Sequence, residues 1–300
     1  MLLRMSDLRG SLLVLALLGA IACALEETAP AESLPPAPQA CNGSPRLCDR
    51  RVTEVAFPGT HNAHSSTEER FSFANQHYGI EKQMDDGIRA MMLDVYDDEG
   101  AVYLCHADCR QGRRALDDAL TALRTFLEAH PNEVMILEFE SYVTGTAVGE
   151  SFERTGLRPY AFTPAADAPW PTLRELIAAN TRLLVFYEDN RAVAREGAPD
   201  WYLPLWSYSF DTTFKAQVPE DLDCEHGRGL WGGAPFFTLN HFLTNPGPAP
   251  DFAEEVNHDP FFVDRARSCA VAFGRIPNMV AVDFYDIGDL FEVVRALNGL

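Results

Sequence analysis

Three short apolar stretches in the first half of the chain each end in a side chain that can carry a proton or hold a cation. They end at His61 with Asn62, at Asp94, and at His106. Histidine exchanges protons near neutral pH, so a pair of histidines suits general acid and general base catalysis. Asparagine and aspartate supply the hard oxygen atoms that Ca²⁺ and Mg²⁺ take as ligands. These residues predict acid–base chemistry beside a cation.

Two further acidic side chains follow later apolar stretches, Glu140 in one case and Asp283 in the other. Side chains alternate across a strand, so Glu140 shares one face with Glu138. A buried carboxylate is costly unless a cation, a histidine or donor hydrogens satisfy it. We therefore expect these acids to meet the histidines at one rim. The last strand of a barrel lies next to the first, which would present Asp283 to His61.

The elements that must position these residues alternate between strands and helices. Strands are predicted at Val52–Phe57, Ile88–Val95, Val102–Leu104, Val134–Phe139, Leu183–Tyr187, Phe236–Phe242 and Met279–Phe284. Helices are predicted at Arg114–His130, Pro171–Ile177, 260–273 and Gly288–Asn298, whereas 189–235 has no regular pattern. The alternation, without a glycine-rich dinucleotide loop, favours an α/β fold of the irregular TIM (β/α) barrel type. Such barrels carry their chemistry at the C-terminal strand ends.

Length and charge agree with one barrel-sized domain. The chain has 300 residues, 47% of them apolar, which is enough for a sizeable core. Its formal net charge of −20 argues against a nucleic-acid partner, because binding a phosphate backbone requires clustered Lys and Arg. Residues 24–40, rich in Ala, Pro and Glu, predict a linker, and residues 41–300 predict the barrel domain.

The N-terminus has the pattern of an export signal. Arg4 and Arg9 precede a short apolar run, 12–18, and small residues follow up to Cys23. The Ala-Ile-Ala-Cys sequence that ends at Cys23 resembles a lipobox, in which this cysteine is lipidated. We predict a signal peptide over 1–23 and an exported, membrane-anchored lipoprotein. Plain cleavage and secretion is the alternative.

The cysteine count fits export to an oxidising compartment. Seven cysteines are present, and six remain once Cys23 is assigned to the signal. Closeness in sequence favours Cys41–Cys48 and Cys105–Cys109, which leaves Cys224–Cys269 as the third pair. Free buried thiols are the alternative. A bond between Cys105 and Cys109 would hold the loop that carries His106.

Several motifs, in this order and spacing, resemble the phosphatidylinositol-specific phospholipase C X-domain superfamily. They are Pro58–Asn62, Gly87–Asp97, Leu104–His106 and Val282–Asp286, within a resemblance that spans about residues 50–298. The likeness is to the small secreted PLC-like phosphodiesterase branch of that superfamily. It implies an irregular TIM barrel that cleaves a phosphodiester in a phosphoinositide or related phospholipid head group.

The resemblance also implies roles for individual residues. His61 would be the general base that takes a proton from the neighbouring inositol hydroxyl as this hydroxyl attacks phosphorus. His106 would be the general acid that protonates the leaving diacylglycerol oxygen. Asp283 would orient His61 and fix its tautomer, as a triad aspartate does. The developing charge on the phosphoryl oxygens requires a cation.

The family supplies that cation in two ways. One branch has an arginine two residues beyond the aspartate of the second strand, a position that Tyr96 occupies here. The other branch uses Ca²⁺, and here Asn62, Asp94 and Glu140 would be its ligands, with Mg²⁺ as a weaker alternative. This chain departs from that branch at Met92, where a glutamate is usual. We therefore expect Ca²⁺ as a cofactor, bound by a reduced ligand set.

Two other functions stay open at this point. A glycerophosphodiester phosphodiesterase or a sphingomyelinase D-like enzyme is built on a related barrel. A non-catalytic surface barrel that binds a polar ligand is compatible with Met92 and with the missing arginine. An assay of phosphodiester cleavage with and without Ca²⁺ distinguishes the non-catalytic barrel from the enzymes.

Overall fold

The computed structural model describes residues 38–106, 108–166, 168–188, 193 and 197–300, all within one compact unit. The predicted signal peptide, Cys23 and most of the predicted linker lie outside the described residues. In the described part of the chain, no helix is both long enough and apolar enough to cross a membrane.

Parallel strands form the wall of the molecule. The strands are β1 Phe57–Thr60, β2 Ala90–Asp98, β3 Ala101–Cys105, β4 Arg113–Ala115, β5 Met135–Ser141, β6 Leu183–Tyr187, β7 Tyr202–Pro204, β8 Ser209–Thr212, β9 His226–Gly229, β10 Phe236–His241 and β11 Met279–Val282. Their order in the sheet is β7-β6-β5-β2-β1-β11-β10-β8-β9, and every pair from β7 to β8 along this path is parallel. β3, β4 and β9 are antiparallel additions. The predicted irregular β/α barrel is confirmed.

Helices lie in several of the connections between these strands and after the last strand. They are α1 Ile80–Asp86, α2 Leu116–Ala129, α3 Gly145–Arg154, α4 Leu173–Ala178, α5 Leu205–Tyr208, α6 Pro250–Val256, α7 Phe261–Phe273 and α8 Leu290–Leu297. Local sequence explains where α4 begins. The Thr172 side chain accepts a hydrogen bond from the backbone N–H of Glu175, whose carboxylate accepts one from Thr172 in return. This reciprocal pairing satisfies two backbone donors that the first helical turn leaves free.

The pairing of the first and last strands determines where the site lies. Thr60 of β1 is in register with Val282 of β11, and the backbone N–H of His61 donates to the Val282 carbonyl at 3.0 Å. His61 and Asp283 are the residues that directly follow these two strands. The predicted adjacency of first and last strands is therefore confirmed.

One predicted strand is wrong. Val52–Phe57 was expected to be extended, but Val52–Glu54 form a 3₁₀ turn and the strand begins only at Phe57. The Val52 backbone N–H donates to the Pro171 carbonyl, and the Asn278 side chain donates to the Val55 carbonyl. Val52 and Val55 are buried in a cluster with other apolar residues. Their apolar side chains thus reflect packing rather than strand pairing.

The segment without a regular sequence pattern contributes β7, β8 and β9, along with α5. β7 is three residues long and β8 is four, which is too short for a period to be read from sequence. Among the described residues these two strands pair with other strands and not with each other. This gap makes the barrel irregular.

The three predicted disulfide pairings are confirmed. Bonds join Cys41 to Cys48, Cys105 to Cys109, and Cys224 to Cys269. The second bond closes the loop that contains His106. The alternative of free buried thiols is wrong for these six residues.

The close approach of β1 to β11 yields a stability prediction. A Cβ atom at Gly59 would lie 2.8 Å from the Met279 side chain and 3.1 Å from the Val280 carbonyl oxygen. We expect Gly59→Ala to lower the free energy of unfolding by about 1–3 kcal/mol, because overpacking displaces the adjoining strand. Urea unfolding of the oxidised protein measures this. Gly233→Ala is the control, since a Cβ there meets nothing within 4 Å, and equal stability of both variants would contradict the prediction.

Candidate active site

His61 is held in a defined orientation and tautomer. Its Nδ1 lies 2.9 Å from Oδ1 of Asp283, which is 5% exposed. The ring stacks on Phe242 with centroids 3.8 Å apart and an angle of 5° between planes. Because a carboxylate only accepts, Nδ1 carries the proton and Nε2 presents a lone pair. His61 therefore has the arrangement of a general base.

Two amide side chains that sequence reasoning missed support this pair. Asn75 donates to Oδ1 of Asp283 at 3.0 Å. Gln76 donates to the backbone carbonyls of His61 at 2.8 Å and of Val282 at 3.0 Å. Gln76 thus ties the ends of β1 and β11 together directly beneath the imidazole. Both amides belong to the loop after β1, where sequence alone gave no periodic signal.

Asn62 brings the two predicted histidines to one centre. Its Nδ2 lies 3.1 Å from Nε2 of His61 and 3.4 Å from Nε2 of His106. The Asn62 backbone has φ +46°, a left-handed conformation that asparagine tolerates better than most residues. Both imidazoles therefore direct Nε2 toward the Asn62 amide.

His106 differs from His61 in its environment. It follows β3, inside the loop closed by the Cys105–Cys109 bond. Burial lowers the pKa of His106 below its ordinary value, and positive charge on His61 lowers it further. The lowered pKa favours the neutral imidazole, so a role as general acid requires negative charge nearby to restore the proton.

Four carboxyl groups line the same cleft. Asp94 comes from β2, Glu138 and Glu140 from β5, and Glu188 follows β6. Burial raises the pKa of Asp94 well above its usual range, and the charges of Glu140 and Glu188 raise it further. Burial likewise raises the pKa of Glu138 to about 8. Asp94 and Glu138 are therefore costly to ionise in this cleft unless a cation lies beside them.

One cation that the sequence did not reveal lies among these acids. Arg228 of β9 donates to Glu188 at 2.9 Å and to Asp211 at 2.7 Å. Arg89 does not reach this group of acids, because its Nε donates to Glu133 at 2.7 Å. Arg228 belongs to the segment without a regular pattern, so no sequence signal connected it with the site.

Asn62, Asp94 and Glu140 border the same cleft, as a shared metal site requires. No three His, Cys, Asp or Glu side chains in the described ranges form a ready-made metal cluster. One amide and two carboxylates nevertheless suit a hard divalent cation that takes its remaining ligands from water and substrate. Burial raises the pKa of Asp94, and the charges of Glu140 and Glu188, which such a cation would offset, raise it further. The residues present fit Ca²⁺.

Tyr96 occupies the position where an arginine would supply charge. Its ring stacks on Tyr142 with centroids 4.3 Å apart, and the Tyr142 hydroxyl donates to Glu140. Burial raises the pKa of Tyr96 to about 12, so the phenol stays protonated and neutral at physiological pH. Tyr96 can donate a hydrogen bond but supplies no positive charge.

His241, a further strand-end residue, is structural. It is fully buried, accepts from the Arg265 guanidinium at Nδ1 and donates from Nε2 to the Val256 carbonyl. Its ring stacks on Phe262. No ring nitrogen of His241 is left for chemistry.

A family model described as PI-PLC X 1 matches residues 47–298. The chain is 31% identical over 285 residues to PI-PLC X domain-containing protein 1 of Arthroderma benhamiae, covering 87% of this chain and 90% of that protein. A PI-PLC X domain-containing protein of Arabidopsis thaliana is 30% identical, over 80% of this chain and 61% of its own length. An uncharacterised secreted protein of A. benhamiae is 26% identical, over 87% of this chain and 64% of its own length.

Among solved structures, the chain is similar to phosphatidylinositol-specific phospholipase C from Staphylococcus aureus. The TM-score is 0.57 at 14% identity, over 84% of this chain and 95% of that enzyme. This likeness establishes the barrel fold of that enzyme class for the chain.

A second buried histidine yields a pH prediction. His64 is fully buried, and burial, with the neighbouring His106 charge, lowers its pKa from 6.5 to about 3. The unfolded chain therefore binds a proton between about pH 6 and pH 3 that the folded chain does not. Below pH 6 the free energy of unfolding should fall by about 1.4 kcal/mol per pH unit from this residue.

We expect His64→Phe to remove that dependence. The variant should therefore exceed the parent protein in free energy of unfolding by more at pH 4 than at pH 7. Urea unfolding at a series of pH values measures the slope. His258→Phe is the matched control, because the His258 side chain is 48% exposed. A slope that His64→Phe leaves unchanged would show that His64 is not the buried neutral group described above.

Proposed function

The chain belongs to the PI-PLC X domain family, and on this basis we propose that it is an exported phosphodiesterase. Its substrate would be a phosphoinositide or a related phospholipid. The observation that carries the proposal is the placement of two imidazole Nε2 atoms around the amide of Asn62, with Asp283 behind His61. Acid–base cleavage requires two such groups at one reacting centre.

In the proposed reaction, Nε2 of His61 removes the proton from a head-group hydroxyl next to the phosphoester. That oxygen forms a bond to phosphorus, and the bond from phosphorus to the diacylglycerol oxygen breaks. His106 gives its proton to the leaving oxygen, so a cyclic phosphate and diacylglycerol are released. Asp283 stabilises the imidazolium that forms on His61, because its carboxylate lies 2.9 Å from Nδ1.

Ca²⁺ is part of the proposal. Asn62, Asp94 and Glu140 would hold it, and the ion would supply the positive charge that the phosphoryl oxygens need as the bond to phosphorus forms. Tyr96 and Met92 supply none of this charge themselves. The crowding of carboxylates around Asp94 supports a cation at this position.

Export and membrane attachment complete the proposal. Three disulfides and the secreted fungal relative support an extracytoplasmic location. Lipidation of Cys23 would hold the barrel at a bilayer, where its substrate resides. Plain secretion is the alternative.

A non-catalytic barrel that binds a polar ligand is the second candidate. It is favoured by one observation, the presence of Met92 and Tyr96 on either side of Asp94 where charged residues would stabilise the reaction. Failure of the intact protein to cleave any phosphoinositide, lysophospholipid or glycerophosphodiester in the presence of Ca²⁺ would select this candidate.

The acid–base assignment is tested by substitution. We expect His61→Ala and His106→Ala each to lower kcat by about 10²- to 10⁴-fold, the range that a general acid or base contributes. Release of head group from phosphatidylinositol vesicles measures the rate, and circular dichroism checks the fold. His258→Ala should keep full activity. Full activity in either site variant would remove that histidine from the mechanism.

The metal assignment is tested without turnover as well as with it. We expect chelation to suppress cleavage and Asp94→Asn to weaken Ca²⁺ binding about tenfold or more, because one charged ligand is lost. Isothermal titration with CaCl₂ measures the affinity. Asp251→Asn, an exposed change in α6, is the control. Unchanged cleavage in chelator would point to a metal-free mechanism.

A further inference from the structure

The irregular loop between β1 and α1 is more deeply buried than a connecting segment usually is. Its most enclosed residues are at most 1% exposed, namely His64, Ser65, Ser66, Asn75 and Gln76. Loops normally run over the surface, where water satisfies their backbone groups. A buried loop needs partners within the protein instead, and this one has them beside both histidines of the proposed site. We call residues 64–78 the clamp loop.

One end of the clamp loop lies beside the base. The Asn75 side chain donates to Oδ1 of Asp283 at 3.0 Å, and the Asn75 carbonyl accepts from the Phe284 N–H at 2.8 Å. The Gln76 side chain accepts from the Tyr285 N–H at 3.1 Å, in addition to its two bonds to the ends of β1 and β11. This end therefore holds the stretch of chain that carries the carboxylate partner of the base.

The other end of the clamp loop contacts the segment that carries the acid. The Ser72 backbone N–H donates to the Gln111 carbonyl at 2.7 Å. The N–H of Gln111 donates to the Asp108 carbonyl at 2.9 Å, and the N–H of Asp108 donates to the His106 carbonyl at 2.7 Å. Backbone hydrogen bonds thus lead from the clamp loop to His106 itself.

Phe71 makes a packing contact at the same place. A Cβ atom on Gly112 would lie 2.5 Å from the Phe71 ring, so the backbone there passes directly against the ring. Gly112 has φ +147°, a conformation that glycine adopts readily. The Phe71 ring also meets the His64 ring at 5.7 Å between centroids, and the His64 ring lies against the Cys105 backbone. Phe71 therefore supports the His106 segment on both sides, directly at Gly112 and through His64 at Cys105.

An ion-pair network holds this end of the loop in place. Arg114 of β4 donates to Glu69 of the clamp loop and to both carboxylate oxygens of Glu81 on α1. The Arg114 side chain is 13% exposed, so solvent screens these contacts less than it screens a surface pair. β4 pairs with β3 at Leu104, two positions before His106. Arg114 therefore connects the clamp loop to the strand that leads into His106.

We propose that the clamp loop, which holds the base at one end, also sets the position of the acid, and that Phe71 is the positioning residue for His106. The inference rests on the proposed function, because it assigns a further residue to that reaction. Phe71 is 6% exposed, so it acts through the histidine segment rather than by touching the substrate.

The leaving group separates a fault in the acid from a fault in the base. When the bond from phosphorus to a glycerol oxygen breaks, that oxygen is strongly basic and takes a proton from the general acid. p-Nitrophenolate is a weak base and leaves with the electron pair of the broken bond, without a proton. The attacking hydroxyl belongs to the head group in both cases, so both reactions require the base. Loss of acid positioning therefore spares the nitrophenyl ester, whereas loss of base positioning does not.

Steady-state kinetics on two soluble inositol 1-phosphate esters tests the proposal, with dihexanoylglycerol as the leaving group in one and p-nitrophenol in the other. We expect Phe71→Ala to lower kcat for the dihexanoylglycerol ester about tenfold or more, and to change kcat for the nitrophenyl ester less than about threefold. Asn75→Leu is the comparison at the other end of the clamp loop. It should lower kcat for both esters about tenfold or more, because it disturbs the base.

Two further variants change the same contact in other ways. Gly112→Ala places a methyl group against Phe71 from the opposite side, so it should show the same dependence on the leaving group. Phe71→Leu keeps an apolar contact with Gly112 and should recover most of the rate that Phe71→Ala loses. Melting temperatures and circular dichroism show whether each variant is folded. If Phe71→Ala is unfolded, Gly112→Ala and Phe71→Leu decide the outcome.

Phe73→Ala is the matched control, because Phe73 is the same residue type in the same loop but is 69% exposed. It should keep the rates of the parent protein on both esters. If the folded Phe71→Ala variant loses no rate, or loses it equally on the two esters as Asn75→Leu does, the clamp loop does not position the acid and the inference is wrong. A parent protein that cleaves neither ester would instead refute the proposed function, and the inference with it.

Discussion

The structure depends on the parallel pairing of the first barrel strand with the last. The sequence positions involved are more than 200 residues apart, yet the register of Thr60 with Val282 determines that His61 and Asp283 leave the sheet side by side. The Gln76 side chain spans this junction by bonding both strands. A shift of one strand along the other would separate the His61 imidazole from the Asp283 carboxylate. The geometry of the site therefore depends directly on the register of this strand pair.

Carboxyl groups are gathered at the ends of neighbouring strands. Asp94, Glu138 and Glu188 all have pKa values raised by burial, which means that the fold holds them at an energetic cost. Arg228 offsets part of this charge from a strand added at the edge of the sheet. A cation or hydroxyl donors bound among these carboxyl groups would lower the cost of ionising them.

The sequence allowed most of the longer strands and the residues at their ends to be predicted, because apolar runs and side-chain alternation are local signals. It therefore indicated His61, Asp94, His106 and Asp283. It did not indicate Asn75 or Gln76, since a loop residue's hydrogen bonds depend on which distant backbone the fold brings near. Arg228 and Asn240 were missed for a related reason. Both side chains donate to Asp211, a contact that exists only once the fold brings their strands together.

The bond between Cys105 and Cys109 spans only four positions in sequence. So short a ring restricts the unfolded chain little, and its contribution to global stability is accordingly small. What it does restrict is the reach of the residue inside it, His106. Such bonds persist in oxidising compartments and are reduced in the cytoplasm. The placement of the second imidazole therefore depends on an oxidising environment, in which this bond can form.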